Sequence, residues 1–308
     1  MTDGPQISVE NGELVRRGRD RADVGDLDQN RNLKIRMFVG PGLRPVFEDM
    51  QARLRFREMG IEGVAPGQYY EDFEAFPAAY GYDEELQTEL RVSLQTALVE
   101  SRGGAAERLI VETRGELRSR VATGLPPAVG FEPPLGDLAV AGRSRVIHML
   151  TRPKAPPGDR AVTDVPRQLE FLTPHIFEGD FPTIEILSRV PEGYRPAVSP
   201  ESTVVQSIWG MANSDVFQHV HVREYLHAME NQMGALSAAA DVPLSTMAAT
   251  RAQVIFRRPS LVGERYELRS VLYRQDDRLL ALGSFHTVAD GRSDDRPACY
   301  LRFEAQLN

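Results

Sequence analysis

The chain has 308 residues, enough for one large core or two ordinary domains. Its hydrophobic share of 42%, charged share of 26% and net charge of -8 describe a globular chain without the net basic face that a long nucleic-acid footprint needs. A single cysteine, Cys299, excludes an internal disulfide and a cysteine-based zinc site, and its strand-like surroundings predict a buried, inert thiol.

Residues 1–30 are polar throughout, with the run RRGRDRADVGDLDQNRN, and are expected to form a flexible N-terminal arm. They hold no apolar core of a signal peptide, and no apolar run reaches the roughly 20 residues that span a bilayer. A cytoplasmic location with no membrane partner is therefore expected. Leu33 to Val39 reads as a short strand, followed by the turn Gly40-Pro41-Gly42. Val46, Phe47, Met50, Leu54 and Met59 then recur at helical spacing, with Gly60 as the stop.

Residues 61–85 are rich in Gly, Pro and aromatics and predict a long loop holding Tyr69, Tyr70, Tyr80 and Tyr82. Two strand-like runs follow, joined at Ser101-Arg102-Gly103-Gly104 in hairpin fashion. Residues 125–200 are proline-rich, and the junction between halves is placed there. His148 and His175 lie in this region without ligand spacing and read as packed or surface histidines.

The second half repeats the order of the first: strand, turn, helix, strands. The strand spans Ser202 to Trp209. The helix begins near His219 and runs to the alanines before Asp241. Val222, Leu226, Met229 and Met233 form one apolar face, as a core stripe does. Four strand-like runs follow, with a tight turn at Asp276-Asp277. One long helix followed by antiparallel strands is an α+β pattern. The layout occurring twice predicts two copies of one fold, over 31–160 and 161–308.

The segment from Asn213 to Leu226 carries the chemistry. Asp215 sits four residues before His219, in a turn that opens a helix, and His221 adds a second imidazole. A helix start offers open N–H groups and about half a positive charge. Those groups can hold a carbonyl oxygen as it becomes an oxyanion. A carboxylate there can attack the carbonyl or deprotonate a water, with the imidazoles orienting either one. The backbone N–H groups near Val220 and His221 are the expected oxygen-binding donors. Ordinary helix capping by Asn213, Ser214 or Asp215 is the structural alternative.

This segment resembles the hotdog thioesterases, whose signature reads Asp, three residues, His-Val-Asn-Asn, two residues, Tyr. Asp215, His219, Val220 and Tyr225 match it, and Gln218 before His219 is like the acyl-carrier-protein thioesterases of plants and bacteria. Gly263-Glu264 stands in the place of a family Gly-Asp. The two Asn are replaced by His221 and Val222, a further Asn by Phe217, and a strand carboxylate falls near Pro259. The resemblance implies a double hotdog, each half a long helix wrapped by an antiparallel sheet. It implies Asp215 and His219 as catalytic, and His221, a new titratable group in place of an Asn, is taken with them as the catalytic group, with Asn213, Gln218, Val220 and Tyr225 as the expected substrate-binding residues. The acyl group would be carried on coenzyme A or an acyl carrier protein. No cofactor or metal is expected, and a monomer or a homodimer is consistent with it. Arg257 and Arg258 are candidates for a pantetheine phosphate.

Three functions stay open at this level. One is thioester hydrolysis or acyl transfer in fatty-acid or polyketide-type biosynthesis. A second is the methylmalonyl-CoA acyltransferase/decarboxylase reaction of similar double hotdogs, with a tyrosine of the 61–85 segment as nucleophile. The third is non-catalytic acyl binding or scaffolding.

Overall fold

The computed structural model describes residues 6–21, 32, 34–35, 52–78, 80, 85–101, 104–123, 134–198, 204–213 and 219–307. They fall into two compact units. The first takes its described residues from Met1–Val24, Pro41–Glu71 and Gly81–Pro182, the second from Gly25–Gly40, Asp72–Tyr80 and Thr183–Asn308.

The first unit opens with a hairpin of β1 (Gln6–Glu10) and β2 (Glu13–Arg21). Glu10 pairs with Glu13 across Asn11-Gly12, both at positive φ (52° and 81°), as a two-residue turn of this hand requires. Residues 6–21 thus correct the expected arm. Their polarity belongs to an ion-pair network: the Arg17 guanidinium bonds Glu10 at 2.7 Å and Glu89 at 2.8 Å, and Arg91 bonds Glu89 at 2.7 Å.

The Leu33 to Val39 strand and the helical positions Val46, Phe47 and Met50 lie largely or wholly outside the described residues. A helix over Phe56–Ile61 continues one residue past Gly60 and buries Met59. The expected loop at 61–85 is corrected as well: Ala65–Ala75 is a strand, β3, whose residues through Glu71 count with the first unit. From position 69 on its side chains are bulky, and Tyr70, Phe73 and Ala75 are buried.

The two predicted strands after it are β4 (Glu85–Ser101) and β5 (Gly104–Ala122), an antiparallel hairpin closing at Ser101↔Gly104. β6 (Leu135–Thr151) lies antiparallel to β5, and the short β7 (Pro174–Ile176) lies parallel to β4. Glu112 on β5 is fully buried. Arg145 and Arg114 neutralise it, and Gln95 donates to it at 2.6 Å, so the buried charge is paired and bonded.

The second unit contains β8 (Arg195–Pro196), β9 (Val204–Ile208), β10 (Met247–Phe256), β11 (Arg265–Gln275), β12 (Arg278–Ala289), β13 (Arg292–Ser293) and β14 (Cys299–Leu307). The order β10-β14-β12-β11 is antiparallel throughout, with β8 and β9 both pairing on β11 and β13 on β12. Gln275↔Arg278 closes the predicted turn at Asp276-Asp277. The long C-terminal stretch of this unit begins at Thr183, where the sequence division was placed at residue 161.

The helix over Val222–Ala239 packs on β11. Val222, Leu226, Met229 and Met233 are all buried, as the stripe predicts. Each such side chain contributes roughly 1.5–3 kcal/mol. Gly283 on β12 lets the helix approach: a Cβ there would meet Met229 Sδ at 2.9 Å. The helix ends with Asp241 at φ 57°, where Val242 N–H bonds Ser237 O at 2.8 Å and Asp241 N–H bonds Ala238 O at 3.2 Å. That pair of bonds is a Schellman ending. Among the described residues no helix is long and apolar enough to cross a membrane.

Candidate active site at the start of the long helix

The site is assembled from three pieces of the second unit: the end of β9, the first turn of the long helix, and the β10–β11 connection. Trp209 N–H bonds Glu264 O at 3.0 Å, and Gly263 N–H returns to Trp209 O at 2.8 Å. Gly263 has φ 86°, a conformation that glycine adopts without strain. Trp209, Tyr225, Tyr266 and Phe285 then form one aromatic cluster, with Trp209 stacked 4.0 Å from Tyr266 and Tyr225 edge-on to Phe285 at 5.1 Å.

Asn213 ties this cluster to the helix. Its Oδ1 accepts from Gly210 N–H at 2.7 Å, and its Nδ2 donates to Glu224 Oε2 at 2.7 Å. Its backbone carbonyl accepts the His221 N–H at 2.9 Å. Both ends of the side chain are therefore bonded within the protein. Glu224, which sequence reading passed over, is the residue three places after the helix cap, where a carboxylate favours the positive helix end. That spacing was the signal available for finding it.

His221 is the N-cap itself. Its φ and ψ are -70° and 144°, and its Nδ1 accepts from Arg223 N–H at 3.3 Å. In the neutral ring this leaves the proton on Nε2, a tautomer assigned from the bonding pattern. His219 is exposed and forms an isolated bridge with Leu261. The Val220 N–H bonds Ser260 O at 2.9 Å. The N–H groups of Val220 and His221, expected to hold a carbonyl oxygen, thus each already meet a protein carbonyl. Among the described residues the Val222 N–H, the first of the helix, has no acceptor.

Tyr225 is buried and its hydroxyl bonds Ser260; burial holds that hydroxyl well above its ordinary pKa, and nearby Cys299 adds to the effect. It supports the helix start from within. Cys299 is buried as expected, and burial raises its thiol well above the ordinary value. Asp215 and Gln218 lie outside the described residues, so His219, Val220, His221, Asn213 and Tyr225 are the predicted site residues that the fold brings together.

Of the two arginines considered for phosphate, Arg258 is tied to Glu264 at 3.5 Å, to Thr287 and to Pro259 O. Arg257 is exposed and makes no ion pair among the described residues. The tyrosines are also accounted for. Tyr69 donates to Pro182 O at 2.8 Å and stacks on Phe181, while Tyr70 is buried. Tyr80 donates to Phe76 O at 2.7 Å, and burial pushes its hydroxyl up to about 12. Tyr82 lies outside the described residues. Among the described residues no cluster of potential metal ligands occurs.

No family model and no curated protein matches the sequence. Solved structures do match. A protein of Lactobacillus plantarum assigned as an oleoyl thioesterase superposes with TM-score 0.64 at 10% identity, covering 97% of this chain and 99% of that one. An acyl-ACP thioesterase from Bacteroides thetaiotaomicron gives 0.58 at 13% identity, with 97% and 100% covered. The 12:0-ACP thioesterase from Umbellularia californica gives 0.59 at 10% identity, with 96% and 98% covered. Over nearly its whole length, then, this chain is similar to thioesterase structures and has their hotdog fold.

Proposed function

We propose that the chain is a double hotdog enzyme that hydrolyses acyl thioesters carried on an acyl carrier protein or coenzyme A, in fatty-acid or polyketide-type biosynthesis. The observation that carries this reading is the position of the His219-Val220-His221 run at the N-terminus of the long helix, four residues after Asp215, in a fold similar to thioesterases. Asp215 acts as base or nucleophile. With Asp215 as base, water adds to the thioester carbonyl, the carbon–sulfur bond breaks, and free acid and thiol leave; with Asp215 as nucleophile, its carboxylate displaces the thiol and water then cleaves the mixed anhydride to the free acid. The Val222 N–H and the positive helix end favour the developing oxyanion. His219 and the Nε2–H of His221 orient water or the Asp215 carboxylate. Gln218, next in sequence to His219, contacts the acyl group, and exposed Arg257 meets the phosphate of the carrier arm.

Hydrolysis is favoured over tyrosine-based transfer by the state of the tyrosines. Tyr69 and Tyr80 both donate their hydroxyls to backbone carbonyls, and Tyr80 is held in its neutral form. Neither is prepared as a nucleophile.

The test is product analysis by mass spectrometry with wild type and Asp215→Asn, offered a panel of acyl carrier proteins and acyl-CoAs. Free acid and thiol from wild type, lost in Asp215→Asn, are expected. Acyl transfer to a carrier, with or without carbon dioxide release, replaces hydrolysis by the transferase reading. Binding without turnover in both proteins supports the scaffold reading.

A further inference from the structure

A second set of chemically active groups lies on β12, apart from the helix start. Ser284 and His286 are two residues apart on one strand and project from the same face. Phe285 between them points the other way, into the aromatic cluster with Trp209 and Tyr225. Ser284 Oγ lies 2.9 Å from His286 Nε2, and His286 Nδ1 lies 2.7 Å from the backbone carbonyl oxygen of Asp294.

The carbonyl oxygen can only accept, so Nδ1 carries the proton. In the neutral ring Nε2 is then the lone-pair nitrogen, and the Ser284 hydroxyl donates to it. The imidazole cannot drift from this arrangement. It is 5% exposed, and Asp294 is held by its own N–H on Thr287 O at 2.8 Å and by the Arg296 N–H on its Oδ1 at 2.9 Å. Ser284 remains partly accessible. Directly across on β11, Arg269 is the register partner of Ser284, and Glu267 that of His286. Arg269 is half exposed and binds Glu267 at 2.6 Å through Nε. Opposed residues on neighbouring strands have Cβ atoms about 4.5–5.5 Å apart, so the Arg269–Glu267 ion pair lies on the strand face that carries Ser284 and His286.

Nucleophile, base, an acceptor that fixes the base's tautomer, and a neighbouring cation are the parts of a base-activated serine. We propose that Ser284 is such a nucleophile and takes the acyl group from small activated carboxylic esters. The hydroxyl oxygen adds to the ester carbonyl as its proton passes to His286 Nε2, and the positive charge of Arg269 on the neighbouring strand favours the oxyanion. The bond to the leaving oxygen then breaks, and the departing alkoxide or phenoxide takes the proton from Nε2. The product is O-acyl-Ser284 and a free alcohol or phenol. This site lies on β12 and not at the start of the long helix, and it does not depend on the thioesterase reading.

The experiment uses the full chain with p-nitrophenyl acetate, followed by intact-mass measurement and peptide mapping of the adduct. A single acetyl group on Ser284 is expected, in wild type and equally in Asp215→Asn. Ser284→Ala, a small change on a partly exposed strand position, abolishes it. His286→Gln slows it about 100-fold, within the range that general-base assistance supplies. No adduct on wild type, an adduct on another residue that persists in Ser284→Ala, or folded His286→Gln reacting as fast as wild type overturns the proposal. Should His286→Gln not fold, the wild-type peptide map and Ser284→Ala decide it.

Discussion

Asn213 Nδ2 stands 2.7 Å from Glu224 Oε2, joining the turn after β9 to the first turn of the long helix. Glu224 is mostly shielded, its side chain retaining 13% of its accessibility, and Arg223 Nε bonds its other oxygen at 2.9 Å. Removing the amide leaves a shielded carboxylate short of a donor. Asn213→Ala is expected to lose about 1–3 kcal/mol of stability in urea titrations. Asn213→Asp loses at least as much near neutral pH, because it sets two carboxylates together.

His221 combines the cap with the proposed chemistry, and the two roles separate by substitution. His221→Ala removes the Nδ1 acceptor from Arg223 N–H. A lost cap costs about 0.5–2 kcal/mol, which is a fall in Tm of about 2–4 °C per kcal/mol. His221→Asn supplies another good cap and is expected to melt within a few degrees of wild type. If its hydrolysis rate is also unchanged, the imidazole has no part in the reaction.

Asp241 holds the left-handed position at the end of the long helix. A side chain there opposes its own backbone, whereas glycine does not. Asp241→Gly is expected to raise stability by about 0.5–1 kcal/mol, read as a higher urea midpoint with an unchanged slope.

Glu71 is 3% exposed; Gln68 donates to one carboxyl oxygen, while Oε2 meets no partner among the described residues. Burial pushes its pKa from 4.5 up to about 8. Between those values the folded chain holds a proton that the unfolded chain releases, so stability falls as pH rises from about 4.5 to about 8. Glu71→Gln is expected to flatten that slope in melts taken across this window. His148 is opposite in sign: burial lowers it from 6.5 to about 4, and its contribution is lost as pH falls through that range.

The elements most legible in the sequence were those with one wet and one dry face. The stripe Val222–Leu226–Met229–Met233 and the Asp276-Asp277 turn needed only periodicity and turn chemistry. The hairpin at Asn11-Gly12 has a strong local turn signal, but the arginines around it give the segment the polar composition of an arm. Those arginines are polar because they pair with Glu10 and Glu89, and the partner at 89 is distant in sequence. β3 was hidden by Pro66 and Gly67 at its start, since breakers at the end of a strand look like breakers of a strand.

The site divides in the same way. The run from Asp215 to Tyr225 and the apolar face behind it are local, so residue order placed the long helix just after these histidines, beginning it near His219 where the fold has His221 as the cap and Val222 as the first helical residue. What those residues do there was decided by the bonds that the fold makes. Ser260 O, far along the chain, meets the Val220 N–H, and the nearby Asn213 O meets the His221 N–H, while Val222 N–H stays open among the described residues. The pairing of Ser284 and His286 with the Asp294 carbonyl likewise depends on the β12–β13 turn bringing Asp294 back over the strand. A hydrogen bond is decided by which donor and acceptor are brought within about 3 Å, and for these groups only the folded chain sets that distance.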